Sequence, residues 1–297
     1  MRTILQIAVL LTLSIVAVNG QEPGIRILGD ELRNSKNISI RRKAAEALGR
    51  ANTEQSVTIL SQARREEGKM EVRLAILRAL RQITFLRSPG YREAIDAIGE
   101  AADDDFETDT LVRLRATEAL WEAGKKDLLD PVPILDRQLN DRSQRIRIAA
   151  VKMLRKHGSP HAADVLGKVA LDKQQSETIR LEAIESLGAV ALPEGGDAGR
   201  QVAASNINVM KLFGAAPLVS EATLEKRHNL QISYLATILR DPENSVTLSM
   251  RAVKSIGNVK DRSAIPVLRE VIESHPHDGI RKQATRVLSH ILARQYE

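Results

Sequence analysis

The sequence predicts an all-α protein, an armadillo-like α-solenoid of about eight helical hairpins stacked side by side. One observation is a recurring segment: IRRKAAEALG at 40–49 returns as VRLAILRAL (72–80), VRLRATEAL (112–120), IRIAAVKML (146–154), IRLEAIESLG (179–188), LSMRAVKSIG (248–257) and IRKQATRVL (280–288). From Arg41 to Arg73, Arg113, Arg147 and Arg180 the steps are 32, 40, 34 and 33 residues, then 69 to Ser249 and 32 to Arg281. A period in this range marks supersecondary units that bury their apolar faces on one another. A second is spacing within the segment, where positions 1, 5, 8 and 9 are apolar or small, as in Ile40, Ala44, Ala47 and Leu48, the pattern of one buried helical face. A third is composition: aromatics are 2% of the chain, too few for the strands of a sheet, which favour aromatic and β-branched side chains.

Each recurring helix is preceded by a second apolar-periodic segment. In chain order these are Ile25–Leu32, Val57–Ala63, Ala94–Ala101, Pro133–Leu139, Ala162–Leu171, Leu230–Leu239 and Ile265–Ile272. Asn37, Asp109, Asp141 and Ser176 stand between the paired segments, residue types that accept hydrogen bonds from the free N–H groups opening a helix. Ala at position 5 (Ala44, Ala116, Ala150, Ala183, Ala252 and Ala284, with Ile76 in the second unit) lets neighbouring helix axes approach closely. Position 3 tests the stacking, because an interior unit has neighbours on both sides and a terminal one meets water. It is Leu74, Leu114, Ile148, Leu181 and Met250 inside, and Arg42 and Lys282 at the ends.

The first 20 residues read as a signal helix for export: Arg2, an apolar run from Ile4 to Val18, and small residues at Val18-Asn19-Gly20 before Gln21. Residues 21–190 and 226–297 form the N-terminal and C-terminal arrays, separated by 191–225. That intervening stretch holds PEGGDAG at 193–199 and an apolar run from Val202 to Phe213. The 69-residue step across it equals about two periods, so it is expected to hold a degenerate repeat with a flexible loop. With no cysteine the chain has neither disulfides nor thiolate ligands, and its stability must come from packing. A net charge of +6 without a basic tail gives no reason to expect nucleic-acid binding.

The repeated V/I-R-x-x-A-x-x-A-L-G helix resembles the second helix of HEAT repeats, above all the short variety first noticed in phycobilin lyases. Ile265-Pro-Val-Leu268 is similar to the first helix of that repeat, and Asp141, Asp172 and Asp241 fall at its terminal aspartate. The resemblance implies a right-handed superhelix with second helices lining the concave side. It also implies a structural ladder in which the Asp residues pair with Arg73, Arg113, Arg147, Arg180 and Arg281, broken at Ser249.

No catalytic signature is present: there is no Gly-x-Ser-x-Gly, His-Glu-x-x-His or P-loop, so the chain is read as a non-enzyme with no cofactor and no metal. His157 and His161 are split by a helix-breaking Gly-Ser-Pro, and His275 and His277 lie in a turn, where histidines are usually only solvated. The run DDDFETD at 103–109 alternates carboxylates as calcium loops do. Thr108 replaces the required glycine, however, and Leu114 the bidentate glutamate, so capping of the helix that follows accounts for it.

On the HEAT-like arrangement, positions 4 and 7 of the second helices face the concavity. There Lys43, Arg78, Arg115, Lys152, Arg251, Lys254 and Arg286 oppose Glu46, Glu118, Glu182 and Glu185, a mildly basic groove suited to a protein partner with acidic patches. Trp121, in place of the motif's terminal glycine, reads as a packing anchor. The expected role is an exported scaffold, periplasmic or secreted, that binds another protein or a large envelope assembly without a membrane span of its own once the signal is removed. The alternative implied by the resemblance is a lyase or chaperone handling a tetrapyrrole.

Overall fold

The structure is a computed structural model that describes residues 22–189, 221–259 and 261–293, in which every regular element is a helix. The signal segment 1–20 and the stretches 193–199 and 202–213 lie outside the described residues. In order the helices are α1 (Glu22–Asn34), α2 (Ile38–Ala51), α3 (Glu54–Glu66), α4 (Met70–Phe85), α5 (Tyr91–Ala102), α6 (Thr110–Gly124), α7 (Val132–Gln138), α8 (Gln144–His157), α9 (Pro160–Leu171), α10 (Glu177–Gly188), α11 (Glu221–Arg240), α12 (Val246–Val259), α13 (Ala264–Ser274) and α14 (Asp278–Ala293). In sequence they run as seven repeats among the described residues, each a first helix, a short turn and a second helix carrying the recurring motif; α1 packs on α2, α3 on α4, α5 on α6, α9 on α10, α11 on α12 and α13 on α14. Residues 221–225, expected to be irregular, are the opening turn of α11, whose twenty residues make it the longest first helix.

The chain divides into two compact units, 1–146 and 147–297, with the boundary in the first turn of α8. In the first unit, α1, α3 and α5 pack in succession as one layer and α2, α4 and α6 as a second. In the second unit α9, α11 and α13 form the layer of first helices, while α10, α12 and α14 form the other. The motif explains both. Position 1 is buried in every unit, and position 5, at Ala44, Ala116, Ala150, Ala183, Ala252 and Ala284, is 0% exposed throughout. Position 3 behaves as stacking requires: Leu114 is buried, Leu74, Ile148, Leu181 and Met250 are half-buried, and the terminal Arg42 and Lys282 are exposed.

Helix ends follow local chemistry. Asn37 accepts a hydrogen bond from Ser39 N–H to open α2, and Asn52, left-handed at φ 59°, closes it by donating its N–H to Leu48 O. Thr53 caps α3 through Ser56, Asp109 caps α6 through Leu111 and Val112, and Ser159 caps α9 through Ala162 with Pro160 starting that helix. Ser176 makes no such bond at the start of α10, although its residue type predicts one.

The joint that spans residues 190–220 in sequence is built like the others. A β-carbon on Gly49 would fall 2.8 Å from Ala79 Cβ, and one on Gly257 would fall 3.0 Å from Val287 Cγ1; both glycines are position 10 of one motif, facing position 8 of the next. Gly188 faces Ser255 in the same register, at 2.6 Å. With α9 against α11 and α10 against α12, the fifth and sixth hairpins are therefore immediate neighbours, although their motifs are 69 residues apart.

Candidate functional site

The recurring arginine at position 2 does two things. Its guanidinium donates to the carbonyl six residues earlier, closing its own hairpin turn: Arg41 to Ser35 O at 2.8 Å, Arg73 to Glu67 O at 3.0 Å, Arg113 to Glu107 O at 2.8 Å and Arg281 to His275 O at 2.6 Å. It also reaches the turn of the next hairpin, pairing Arg41 with Glu67 at 2.7 Å, Arg73 with Glu107 at 3.0 Å and Arg113 with Asp141 at 2.8 Å. The acceptors are equivalent positions, because each carboxylate also takes the N–H two residues on, at Lys69, Asp109 and Ser143. Two of the three are glutamates. An aspartate-only ladder misses Glu67, Glu107 and the first rung's Arg41; the signal that could have found the two glutamates is a carboxylate six residues ahead of Arg73, Arg113 and Arg147, at Glu67, Glu107 and Asp141.

Beyond Asp141 the ladder departs from the expected pairing. Arg147 is half-buried and engaged. Asp172 Oδ1 accepts the N–H of Gln174, and Asp241 is held by Lys173 at 3.0 Å rather than by an arginine. Arg180 instead donates to Ala170 O at 3.0 Å and to Asn244 Oδ1 at 2.5 Å. Hydrogen bonds from Glu243 N–H and Lys173 hold the Asp241 carboxyl below its ordinary range. At the next joint both members change: Ser249 stands for the arginine and His275 for the acid, its Nδ1 accepting the N–H of His277. Burial, then the charges of His277 and Arg281, push His275 down, so its ring is the neutral acceptor this turn needs. Arg281, in the last described helix, stays within its own turn on Pro276 O and Asp278.

The predicted basic groove is only partly realised. In the first unit Lys43 and Arg78 are exposed, but Arg115 pairs with Glu118 at 2.6 Å, and Ala75, at position 4, is 0% exposed because it packs into the core. In the second unit Lys152, Lys254 and Arg286 are exposed, whereas Arg251 is half-buried and paired with Glu185. Position 4 thus ranges from exposed at Lys43 and Arg115 to core at Ala75, and the exposed charges at position 7 are Arg78, Lys152, Lys254 and Arg286. Lys43, Arg78, Lys152, Lys254 and Arg286 have no ion-pair partner among the described residues.

The other sequence candidates resolve into local structure. His157 Nδ1 is 2.9 Å from Ser159 Oγ, and His161 is exposed in the first turn of α9. Asp103, Asp104 and Asp105 converge within 4.8 Å, but Asp103 takes Asp105 N–H and the Arg137 guanidinium, and Asp104 takes Arg142 N–H. One oxygen each of Asp103 and Asp104 thus accepts a backbone N–H of these turns. Trp121 is 8% exposed, as a packing anchor requires.

The HEAT-repeat family model matches residues 25–110 and 106–188. The chain belongs to the HEAT-repeat family. Among solved structures this HEAT-repeat protein is similar to YibA of Escherichia coli, at 18% identity over 93% of this chain and 85% of that one with a TM-score of 0.43. It is also similar to human deoxyhypusine hydroxylase in complex with glycerol, at 16% identity over 93% and 98%, TM-score 0.36. No curated protein matches it. Hairpins α11–α12 and α13–α14 lie beyond the matched residues, yet they repeat the HEAT motif and its joint register. No helix among the described residues is long and apolar enough to cross a membrane.

Proposed function

We propose that this HEAT-repeat protein is an exported, non-catalytic scaffold that holds a protein partner against its layer of second helices. The observation that supports this reading is the set of unpaired position-7 cations with Lys43: Arg78 in the first unit and Lys152, Lys254 and Arg286 in the second. Position 7 is a cation in four of the seven repeats and a glutamate in the other three, and cations without an ion-pair partner among the described residues favour a partner presenting spaced carboxylates; affinity is then spread over several repeats. The partner is a protein with acidic surface patches, part of an assembly in the periplasm or cell envelope, reached by the signal segment at 1–20.

Purification from the cell envelope with the unaltered chain and with Arg78→Glu/Lys152→Glu tests it. A companion recovered with the former and lost with the latter, at unchanged circular dichroism, agrees with the proposal. Equal recovery with both refutes the second-helix layer as the binding side, and fractionation of the chain with cytoplasm refutes export.

A further inference from the structure

Several repeat turns are closed in one way, by a side chain that stands six residues ahead of motif position 2 and accepts the backbone N–H two residues on. Glu67, Glu107 and Asp141 do so with carboxylates, at 2.8, 2.9 and 2.6 Å from the N–H of Lys69, Asp109 and Ser143, and the first repeat uses the uncharged Ser35 Oγ at 3.4 Å from Asn37 N. The last repeat uses His275, whose Nδ1 stands 3.2 Å from His277 N–H. Carboxylates and hydroxyls remain acceptors in mild acid, whereas a protonated imidazole carries two N–H groups and has no lone pair left to offer. Among these turns, the one at His275 is therefore the one whose closing bond a single proton converts into two donors facing each other.

The surroundings oppose that proton. Arg281 donates to His275 O at 2.6 Å and Pro276 O at 3.1 Å, which fixes its cation at this turn, and the His277 ring lies 5.8 Å from that of His275. Acids of the adjoining elements are engaged elsewhere or solvated: Asp278 with Arg281 and Lys282, Glu270 of α13 with Arg240 of α11, Asp241 ahead of α12 with Lys173, and Glu273 exposed on α13. From α12 come the uncharged Ser249, where earlier repeats carry an arginine, and Arg251, which is paired with Glu185. Without a rung, the second-helix side of this joint rests on packing such as that of Val287 against Gly257. Burial, then the neighbouring His277 and Arg281, hold the folded ring's proton affinity below its ordinary value of 6.5. The turn's contribution to stability is thus complete above 6.5 and is lost as pH falls through the lower folded value.

We propose that the last repeat is released by acid: a proton taken up by His275 opens the turn between α13 and α14 and lets this hairpin detach from α12 while the earlier repeats stay closed. The other histidines touching the hairpin act in the opposite sense. His228 Nδ1 lies 3.0 Å from Asp261 ahead of α13, a pair that a proton strengthens, and His290 stands in the last turn of α14, where the helix dipole favours a cation. Opening takes Arg286 off the second-helix layer, yet it needs no partner and no export, so it is independent of the scaffold reading.

Hydrogen exchange of the full chain, read by mass spectrometry at about pH 7.5 and about pH 5 and corrected for the intrinsic exchange rate, tests it. Protection over residues 264–293 should fall about threefold or more at the lower pH, while protection over 70–85 holds. His275→Asn, whose amide oxygen accepts the same N–H at either pH, should abolish the loss; His277→Ala, which keeps both the N–H and its acceptor, should retain it. Equal protection of 264–293 at the two pH values, a loss that persists in His275→Asn or vanishes in His277→Ala, or one that spreads equally to 70–85 overturns the proposal.

Discussion

Gly188 of α10 lies so close to Ser255 of α12 that a β-carbon on the glycine would sit 2.6 Å from both Cα and Cβ of the serine. Backbone stands on one side of this contact, so no side-chain rotation relieves it. Gly188→Ala should therefore push the fifth and sixth repeats apart and cost about 1–3 kcal/mol, a fall in melting temperature of several degrees by calorimetry. Gly68, whose added β-carbon meets nothing within 4 Å, is the control and should tolerate alanine. Equal behaviour of the two variants would contradict direct stacking of these hairpins.

Most of the fold was legible because each repeat states its own burial pattern, and Ala44, Leu114 and Arg42 lie where spacing alone puts them. The direct contact between the fifth and sixth repeats was not, since sequence separation counts residues and says nothing of which helices touch. The basic surface was half legible. Position 4 turns inward at Ala75, and Arg115 and Arg251 are spent on Glu118 and Glu185, because pairing between neighbouring side chains depends on rotamers and on repeats far apart in sequence. Likewise the family pattern of aspartates concealed that a glutamate, one methylene longer, makes the same rung at Glu67 and Glu107.

Arg113 and Asp141 form a fully buried rung, with 0% and 2% of their side chains exposed. Asp141→Ala leaves a buried guanidinium without its counter-charge and should cost about 3–5 kcal/mol in urea denaturation. Replacing both residues, as Arg113→Met/Asp141→Leu, should recover part of that loss. Recovery is incomplete because Glu107 O and Thr108 O also lose their donor. A double variant no more stable than Asp141→Ala would mean that charge burial is not the dominant cost.

Tyr234 donates to Asp164 at 2.6 Å while its ring lies over Gly167, where a β-carbon would fall 2.1 Å from Cδ2. Burial, then the hydrogen bond to Asp164 and that residue's charge, push the phenol up to about 12. Folding thus favours the protonated phenol. Its contribution to stability is complete below the unfolded value near 10 and disappears as pH rises toward 12. Burial alone would raise Asp164, but hydrogen bonds from Lys168 and Tyr234 outweigh it and hold the carboxyl below its ordinary range. Its contribution is therefore present above the unfolded carboxylate value and fades as the solution is acidified through the lower folded one. Absorbance titration should show one tyrosine ionising late, and Gly167→Ala, by displacing the ring, should return it toward 10. An unchanged late titration in that variant would break the link between ring position and ionisation.

The joint between α12 and α14 lacks a rung on both sides at once, Ser249 for the arginine and His275 for the acid. Ser249 is 3% exposed, so Ser249→Arg alone buries an unanswered cation and should destabilise the protein. His275 occupies the turn position of Glu67 and Glu107, and a glutamate there can still accept the N–H of residue 277 while its second oxygen faces the preceding repeat. Ser249→Arg/His275→Glu should then be more stable than the sum of its single variants by about 1–3 kcal/mol, read as a coupling energy in a double-mutant cycle. The coupling should persist at pH 6 to 9, where a glutamate remains ionised, and shrink as acid protonates it. A coupling near zero would show that the arginine cannot reach the turn of the last repeat, and that the rung is absent there for reasons of helix spacing rather than side-chain choice.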